Sequence, residues 1–301
     1  MEPFPTGVSA AAREATVTGR PADELRHQYE VERELGNRLR TASRAERLRL
    51  YRSVYDERIA RVPTHPLAVR ARDTTAREAA AVHRLRLIHR FLGPETDFLE
   101  IGPGDGSLAQ AAAGHARTVY AVDVSLALVA ERHWPQNLEW LLTDGVSIPL
   151  PSQSVDFAFS DQVLEHLHPD DARDQTRDVY RALRPGASYL CITPNRLSGP
   201  WDVSRAFDET ATGLHLKEYT LLELVALFRS AGFERIRAFV SYRGRRLSPP
   251  VDPRIFLVIE QVIGSLPRSL RKRIGRALDA VRVVGTRLPR GDEPTARATV
   301  S

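Results

Sequence analysis

Cysteine occurs once in the 301 residues, at Cys191, so the chain has no intrachain disulfide and no cysteine-built metal site. That excludes a small disulfide-stapled scaffold and fits a reducing cytoplasm. Lysine is almost as scarce: Lys217 and Lys272 are the only two, and the remaining basic residues are arginine. Such a bias is what GC-rich coding writes onto a solvated face. Long apolar runs are missing too. No stretch reaches the ~18 apolar residues of a membrane span, and the opening MEPFPTGVSAAAREATVTGR lacks the basic start and apolar core of a secretory signal, so the expectation is a soluble protein.

The formal charge is +5, but it is unevenly spread. Residues 245–301 carry a local excess of about seven positive charges, which leaves the preceding part near −2. A nucleic-acid footprint would sit on the core rather than on a tail. The hydrophobic fraction of 42% suits a chain with a sizeable core.

Residues 1–20 and 291–301 lack periodicity and read as disordered ends. Residues 21–95 read as a helical cap or lid. Within it Ser43 and Glu46 make a capping box. A later helix from Thr75 aligns Ala79, Val82, Leu85, Ile88 and Leu92, and Gly93-Pro94 ends it. From residue 96 to 290 the rhythm changes. FLEI, VYAVDV, LEWLL, VDFAFS and YLCIT read as strands, with SLAQAAAG, LALVAERH and DDARDQTRDVYRAL as helices between them. Thr220 and Glu223 open a further capped helix that Gly232 closes, followed by strands at 235–240 and 280–286. Alternation of this kind implies right-handed crossovers and a doubly wound, seven-stranded, mostly parallel α/β sheet. The helical N-terminal extension and a helical insertion at 247–279, before the last strand, are additions to it.

At the end of the first strand stands Glu100-Ile-Gly102-Pro-Gly104-Asp-Gly106. Glycines there let backbone approach a ligand closely, and the helix that follows offers free N–H groups. The dinucleotide fingerprint would put its third small residue at position 107, where Ser107 stands; a phosphate loop would need a lysine that is absent. With an acid before the first glycine and the third glycine at 106, the stretch resembles motif I of class I S-adenosylmethionine-dependent methyltransferases, a Rossmann-like fold. Three further segments fit that resemblance. Asp123, with Val124 behind it, ends the second strand, where a carboxylate accepts both ribose hydroxyls. Asp144-Gly145 matches the adenine site. Ser160 and Asp161, in VDFAFSDQVLEHLHPDD, match the strand that holds the methionine end, and the LRPG turn at 183–186 completes the set. The overall look is that of the ubiquinone-methyltransferase-like group. Asp105 is assigned to capping the helix after the loop.

The resemblance implies S-adenosylmethionine as cofactor and transfer of its methyl group to a small-molecule acceptor, with oxygen of a sugar or secondary metabolite preferred. Displacement at a sulfonium asks the protein for positioning and a base, and no metal is demanded. The candidate bases are His166, His168 and His215. His166 and His168 with Asp170 and Asp171 form a conceivable cation set, but the two acids are better explained as first-turn residues of the next helix. Loop 192–216, with Asn195, Arg196, Trp201, Asp202 and Asp208, is the substrate-side segment; Glu218 and Tyr219 follow it. A homodimer is allowed. In RSLRKRIGRAL, apolar residues repeat every four with arginines away from them, an amphipathic basic helix that packs on the domain or rests on an anionic surface. The rival readings are an RNA methyltransferase using the basic tail, an NAD-linked oxidoreductase and a noncatalytic binding module.

Overall fold

Seven of the apolar runs become strands: β1 (Asp97–Ile101), β2 (Thr118–Asp123), β3 (Leu138–Leu142), β4 (Val155–Asp161), β5 (Leu183–Pro194), β6 (Arg235–Ala238) and β7 (Ala280–Thr286). In the computed structural model they form one sheet in the order β3-β2-β1-β4-β5-β7-β6. The first five are mutually parallel, and β7 runs antiparallel to both β5 and β6. The structure describes residues 19–130, 132–239, 241–242, 245–246, 251–267, 270 and 280–289. Of the expected disordered ends, residues 1–18 and 291–301 lie outside these residues, as does all of RSLRKRIGRAL except Leu270, while Arg20 is ordered enough to donate to Gln28.

Every residue of β1 is buried, as befits a central parallel strand covered on both faces. Its alternation divides the core. Leu99 and Ile101 join one apolar cluster, whereas Phe98 joins the other with Leu108 and Phe157. The first cluster also holds Leu35, Leu39, Tyr51 and Val54 from α1 (Ala22–Thr41) and α2 (Arg44–Arg61), all fully buried. Each such side chain is worth about 1.5–3 kcal/mol in transfer free energy. The N-terminal helices are therefore built into the same core as the sheet. Two more helices follow, α3 (Pro66–Arg72) and α4 (Thr74–Ile88), and α4 packs beside α5 (Ser107–Ala112) on the second face. Ahead of β5 and β6 come α6 (Pro169–Ala182) and α7 (Leu221–Ala231), and α8 (Arg254–Ser265) lies in the late insertion.

Both capping boxes form, and Gly232 ends α7 in the left-handed conformation with φ +111°. Three local expectations need correction. LALVAERH makes only turns at 127–130 rather than a helix: Ser125 Oγ accepts from Ala127 N, Arg132 is drawn to the carbonyls of Asp105 and Ala71, and Pro135 limits extension. In α4 the buried positions are Ala81 and Ile88, while Ala79 and Val82 are exposed; the helix stops at Ile88 and Leu92 lies beyond it. The apolar stripe lies one step round from the expected one. Finally, LRPG is the first part of a twelve-residue β5, where the pairing with β4 slips between Val155 and Phe157. Gly186 takes φ +86° there, which a side chain would resist.

Candidate active site

A cavity of about 310 Å³ opens at the carboxyl ends of β1, β2 and β4, the edge at which open α/β sheets bind ligands. Its floor is the glycine loop. Gly102 at φ +66° passes so close to Val163 that an added Cβ would lie 2.5 Å from its methyl group. Gly102, Gly104, Asp123, Val124, Gly145 and Asp161 all line this cavity. Glu100, Gly106, Asp144 and Ser160 do not. Gly106 turns at φ +69° against the rings of Trp134 and Trp140, behind the loop. Ser160 is buried in a 2.7 Å hydrogen bond with Tyr189. The oxygens expected to meet an adenine amine at Asp144 accept instead from Val146 N, Ser147 N and Ser147 Oγ at 2.7–2.9 Å. Thr143 and Gly145 are what that loop gives the cavity.

The carboxyls are tuned by burial. Glu100 is 3% exposed, its Oε2 has no hydrogen-bond partner, and its pKa is pushed up to about 8, although the Arg84 charge opposes the shift. Burial likewise lifts Asp123 to about 6 against the backbone N–H groups of Gly104, Val124 and Ser125, which favour its ionised form. An orphaned acid beneath a glycine loop and a strand-end carboxylate suit a ligand with an ammonium group and a ribose diol. The amino-acid tail and ribose of S-adenosylmethionine supply both groups.

The expected helical cap of residues 21–95, which roofs the cavity, came without named site residues. Tyr51, Tyr55 and Arg58 from α2, His65 ahead of α3, Leu67 and Arg70 from α3, and Arg84 from α4 line the same cavity. Ion pairs fasten this roof to the floor: Arg70–Asp105 at 2.7 Å and Arg84–Asp161 at 3.1 Å. Asp105 also accepts from Ser107 N at the start of α5, although Gly106 and not Asp105 holds the N-cap position expected of it. Asp171 is more than a first-turn acid. Fully buried, it accepts from Arg47 at 2.5 Å and from Tyr51 at 2.8 Å, joining α2 to α6. None of these partners has a local motif that would mark it.

The three candidate histidines separate. His168 is the N-cap of α6, accepting from Asp170 N, and does not line the cavity; its capping role corrects its place among the bases. His166 and His215 meet edge to face with ring centroids 5.0 Å apart. A ring nitrogen of each and an oxygen of Glu165 lie within 4.8 Å of one another, so the cation-competent group among the described residues is Glu165–His166–His215 and not the set with Asp170 and Asp171. His166 Nδ1 faces the Leu214 carbonyl at 3.1 Å; a carbonyl only accepts, so Nδ1 carries the proton and Nε2 the lone pair. His215 Nδ1 faces Glu218 Oε1 at 2.8 Å. Burial, reinforced by the His215 and Arg58 charges, lowers His166 well below its ordinary value. His215 is also penalised by burial, but Glu218, Glu165 and Asp202 outweigh that and raise it. Burial lifts Glu165 to about 7, and its Oε1 has no partner. Two titratable groups driven apart in this way are suited to opposite proton roles.

A second cavity of about 320 Å³ adjoins the first and shares Arg58, His65 and His166 with it. Its further walls include Glu32, Gln28, His215, Trp201 and Asp202. Of the substrate-side residues expected from the sequence, Trp201 and Asp202 line it. Asn195 instead organises its own loop through Leu197 N, Arg196 pairs with Glu223 at 3.3 Å, and Asp208 accepts from Tyr29. Glu218 holds Trp201 N as well as His215, and Tyr219 is buried.

Residues 99–191 match the methyltransferase domain family. The matched segment runs from Leu99 in β1 to Cys191 in β5. A probable S-adenosylmethionine-dependent methyltransferase of Mycolicibacterium smegmatis is 36% identical over 151 residues, which is 50% of this chain and 55% of that protein. One of Mycobacterium tuberculosis is 33% identical over 168 residues, 54% of this chain and 59% of the relative. The chain spans little more than half the length of these curated relatives. A solved phosphoethanolamine N-methyltransferase 1 of Haemonchus contortus, in complex with phosphoethanolamine and S-adenosylhomocysteine, is 16% identical with a TM-score of 0.55, covering 85% of this chain and 52% of its own; this likeness speaks for the fold. The family model and the curated relatives support a class I S-adenosylmethionine-dependent methyltransferase, with S-adenosylmethionine as cofactor. No helix among the described residues is long and apolar enough to cross a membrane.

Proposed function

We propose that the protein transfers the methyl group of S-adenosylmethionine to a hydroxyl oxygen of a small polar molecule, of the sugar or secondary-metabolite type. Within the class, its motif set is most like that of the ubiquinone-methyltransferase-like group. The observation that carries this reading is the meeting of two cavities at His166, one floored by the glycine loop and the other walled by polar side chains and Trp201. When bound, S-adenosylmethionine supplies a methyl group already activated by its sulfonium charge. The chain supplies the rest. Asp123 and the loop N–H groups orient the donor, and α2 covers the cavity against water. His166, neutral and with its Nε2 lone pair free, takes the proton of the acceptor hydroxyl as oxygen attacks. His215, which lines the second cavity and is paired with Glu218, positions that oxygen by hydrogen bonding.

Calorimetry tests the cofactor half of the proposal. S-adenosylhomocysteine should bind the wild-type chain, NAD should not, and Asp123→Ala should weaken S-adenosylhomocysteine at least about tenfold, the scale of a lost charged hydrogen bond. Binding of NAD alone would replace the reading with a dehydrogenase. For the acceptor, methyl-labelled S-adenosylmethionine incubated with extract should label the small-molecule fraction; label confined to RNA would overturn the acceptor class. With a labelled acceptor in hand, His166→Ala should lose about 10²–10⁴-fold in turnover, and unchanged turnover would remove it as the base.

A further inference from the structure

Arg58 stands at the seam between the two cavities and lines both. It is 7% exposed, and its Nε is buried without a hydrogen-bond partner. Among the described residues no side chain hydrogen-bonds or ion-pairs with it, and its one close side-chain partner is the Tyr55 ring, 5.0 Å from the guanidinium carbon to the ring centroid. The acids that feel its charge are already committed. Glu32 is held by Gln28 at 2.8 Å and faces His65 at 3.4 Å, while Asp123 accepts three backbone N–H groups. A guanidinium has five N–H donors in a rigid fork, and here the buried Nε–H is left unsatisfied, which is costly. Its position in the last turn of α2 offsets only part of that cost.

We infer that Arg58 is the receptor for an oxyanion, a carboxylate or phosphate, carried by the molecule to be methylated and seated in the second cavity. The inference rests on the two-cavity reading of function. Geometry favours the acceptor as the source of the anion. The other arginines of the first cavity, Arg70 and Arg84, are paired with Asp105 and Asp161, whereas Arg58 also faces the cavity containing Trp201, Gln28 and Asp202. Asp202 does not compete for it, because its oxygens accept from Ser204 N and Gly213 N. A planar fork at the junction would fix an acidic acceptor at one end and leave its hydroxyl free to reach His166.

The test compares the wild-type chain with Arg58→Gln and Arg58→Lys. S-adenosylhomocysteine and 5′-methylthioadenosine, which lacks the amino-acid tail, are titrated first by calorimetry. The chain saturated with S-adenosylhomocysteine is then melted with sulfate against chloride at equal ionic strength, and with glucuronate against glucose. Arg58→Gln should bind S-adenosylhomocysteine within about twofold of wild type and lose at least about tenfold in apparent affinity for sulfate and glucuronate, with Arg58→Lys between the two. Arg58→Lys keeps the charge that helps hold Glu32 ionised, so it separates loss of the guanidinium fork from loss of a structural cation, and failure of either variant to fold would overturn the inference. A selective loss of S-adenosylhomocysteine with methylthioadenosine unchanged would reassign the anion to the cofactor's own carboxylate. Equal responses of all three proteins to the anions would remove the site. If wild type fails to bind S-adenosylhomocysteine at all, the proposed function falls instead.

Discussion

Glu100 holds a proton where an ordinary glutamate has lost it. Its folded pKa of about 8 lies above the usual 4.5, so between those values the folded chain binds a proton that the unfolded chain has released. Stability contributed by this group is therefore present at low pH and falls as pH rises through the window. Glu100→Gln should flatten that slope and stabilise the unliganded protein at pH 8 by on the order of 3 kcal/mol; urea unfolding at pH 5 and pH 8 measures it. Parallel slopes in the two proteins would mean that Glu100 titrates normally. The glycines and strand-end acids were legible because their spacing is local. Tyr55, Arg58 and Arg84 were not, because each reaches the cavity from a helix whose own sequence records only its amphipathic face.

Between elements, the joint of α2 with α6 matters most to the roof. Asp171 is kept ionised despite burial by Arg47 and the Tyr51 hydroxyl, and Tyr51 in turn packs against Gly145, where an added Cβ would sit 3.0 Å from the ring. Arg47→Met should cost about 3–5 kcal/mol, because it strands a buried carboxylate. Arg47→Met with Asp171→Leu should recover a good part of that, and a double-mutant cycle in urea reads the coupling. A cycle that closes additively would show that the pair does not act as a unit. The sequence marked Asp171 as a helix-dipole acid because it stands in the first turn of α6; the arginine that claims it lies far upstream, and no period links the two. Capping boxes and the Gly232 stop, being contained within a few residues, were legible.

For the whole molecule, the alternation of strands and helices was sufficient for the sheet, and β3 and β7 stand where the apolar runs place them. Which faces of α1 to α4 pack onto that sheet was not legible, since amphipathicity says that a helix is covered without saying by what. Because floor and roof come from distant parts of the chain, S-adenosylhomocysteine should slow amide exchange both in the loop at 102–106 and in α2. Slowing confined to the loop would mean that α2 does not close on the ligand. The place of β7 also sets a timetable. It lies between β5 and β6, so during synthesis β5 keeps an open edge and β6 has no sheet neighbour until residues 280–286 have emerged from the ribosome. A nascent chain stalled before that point already holds its glycine loop, yet presents an unfinished edge to neighbouring chains, and it is there that a chaperone would have most to protect.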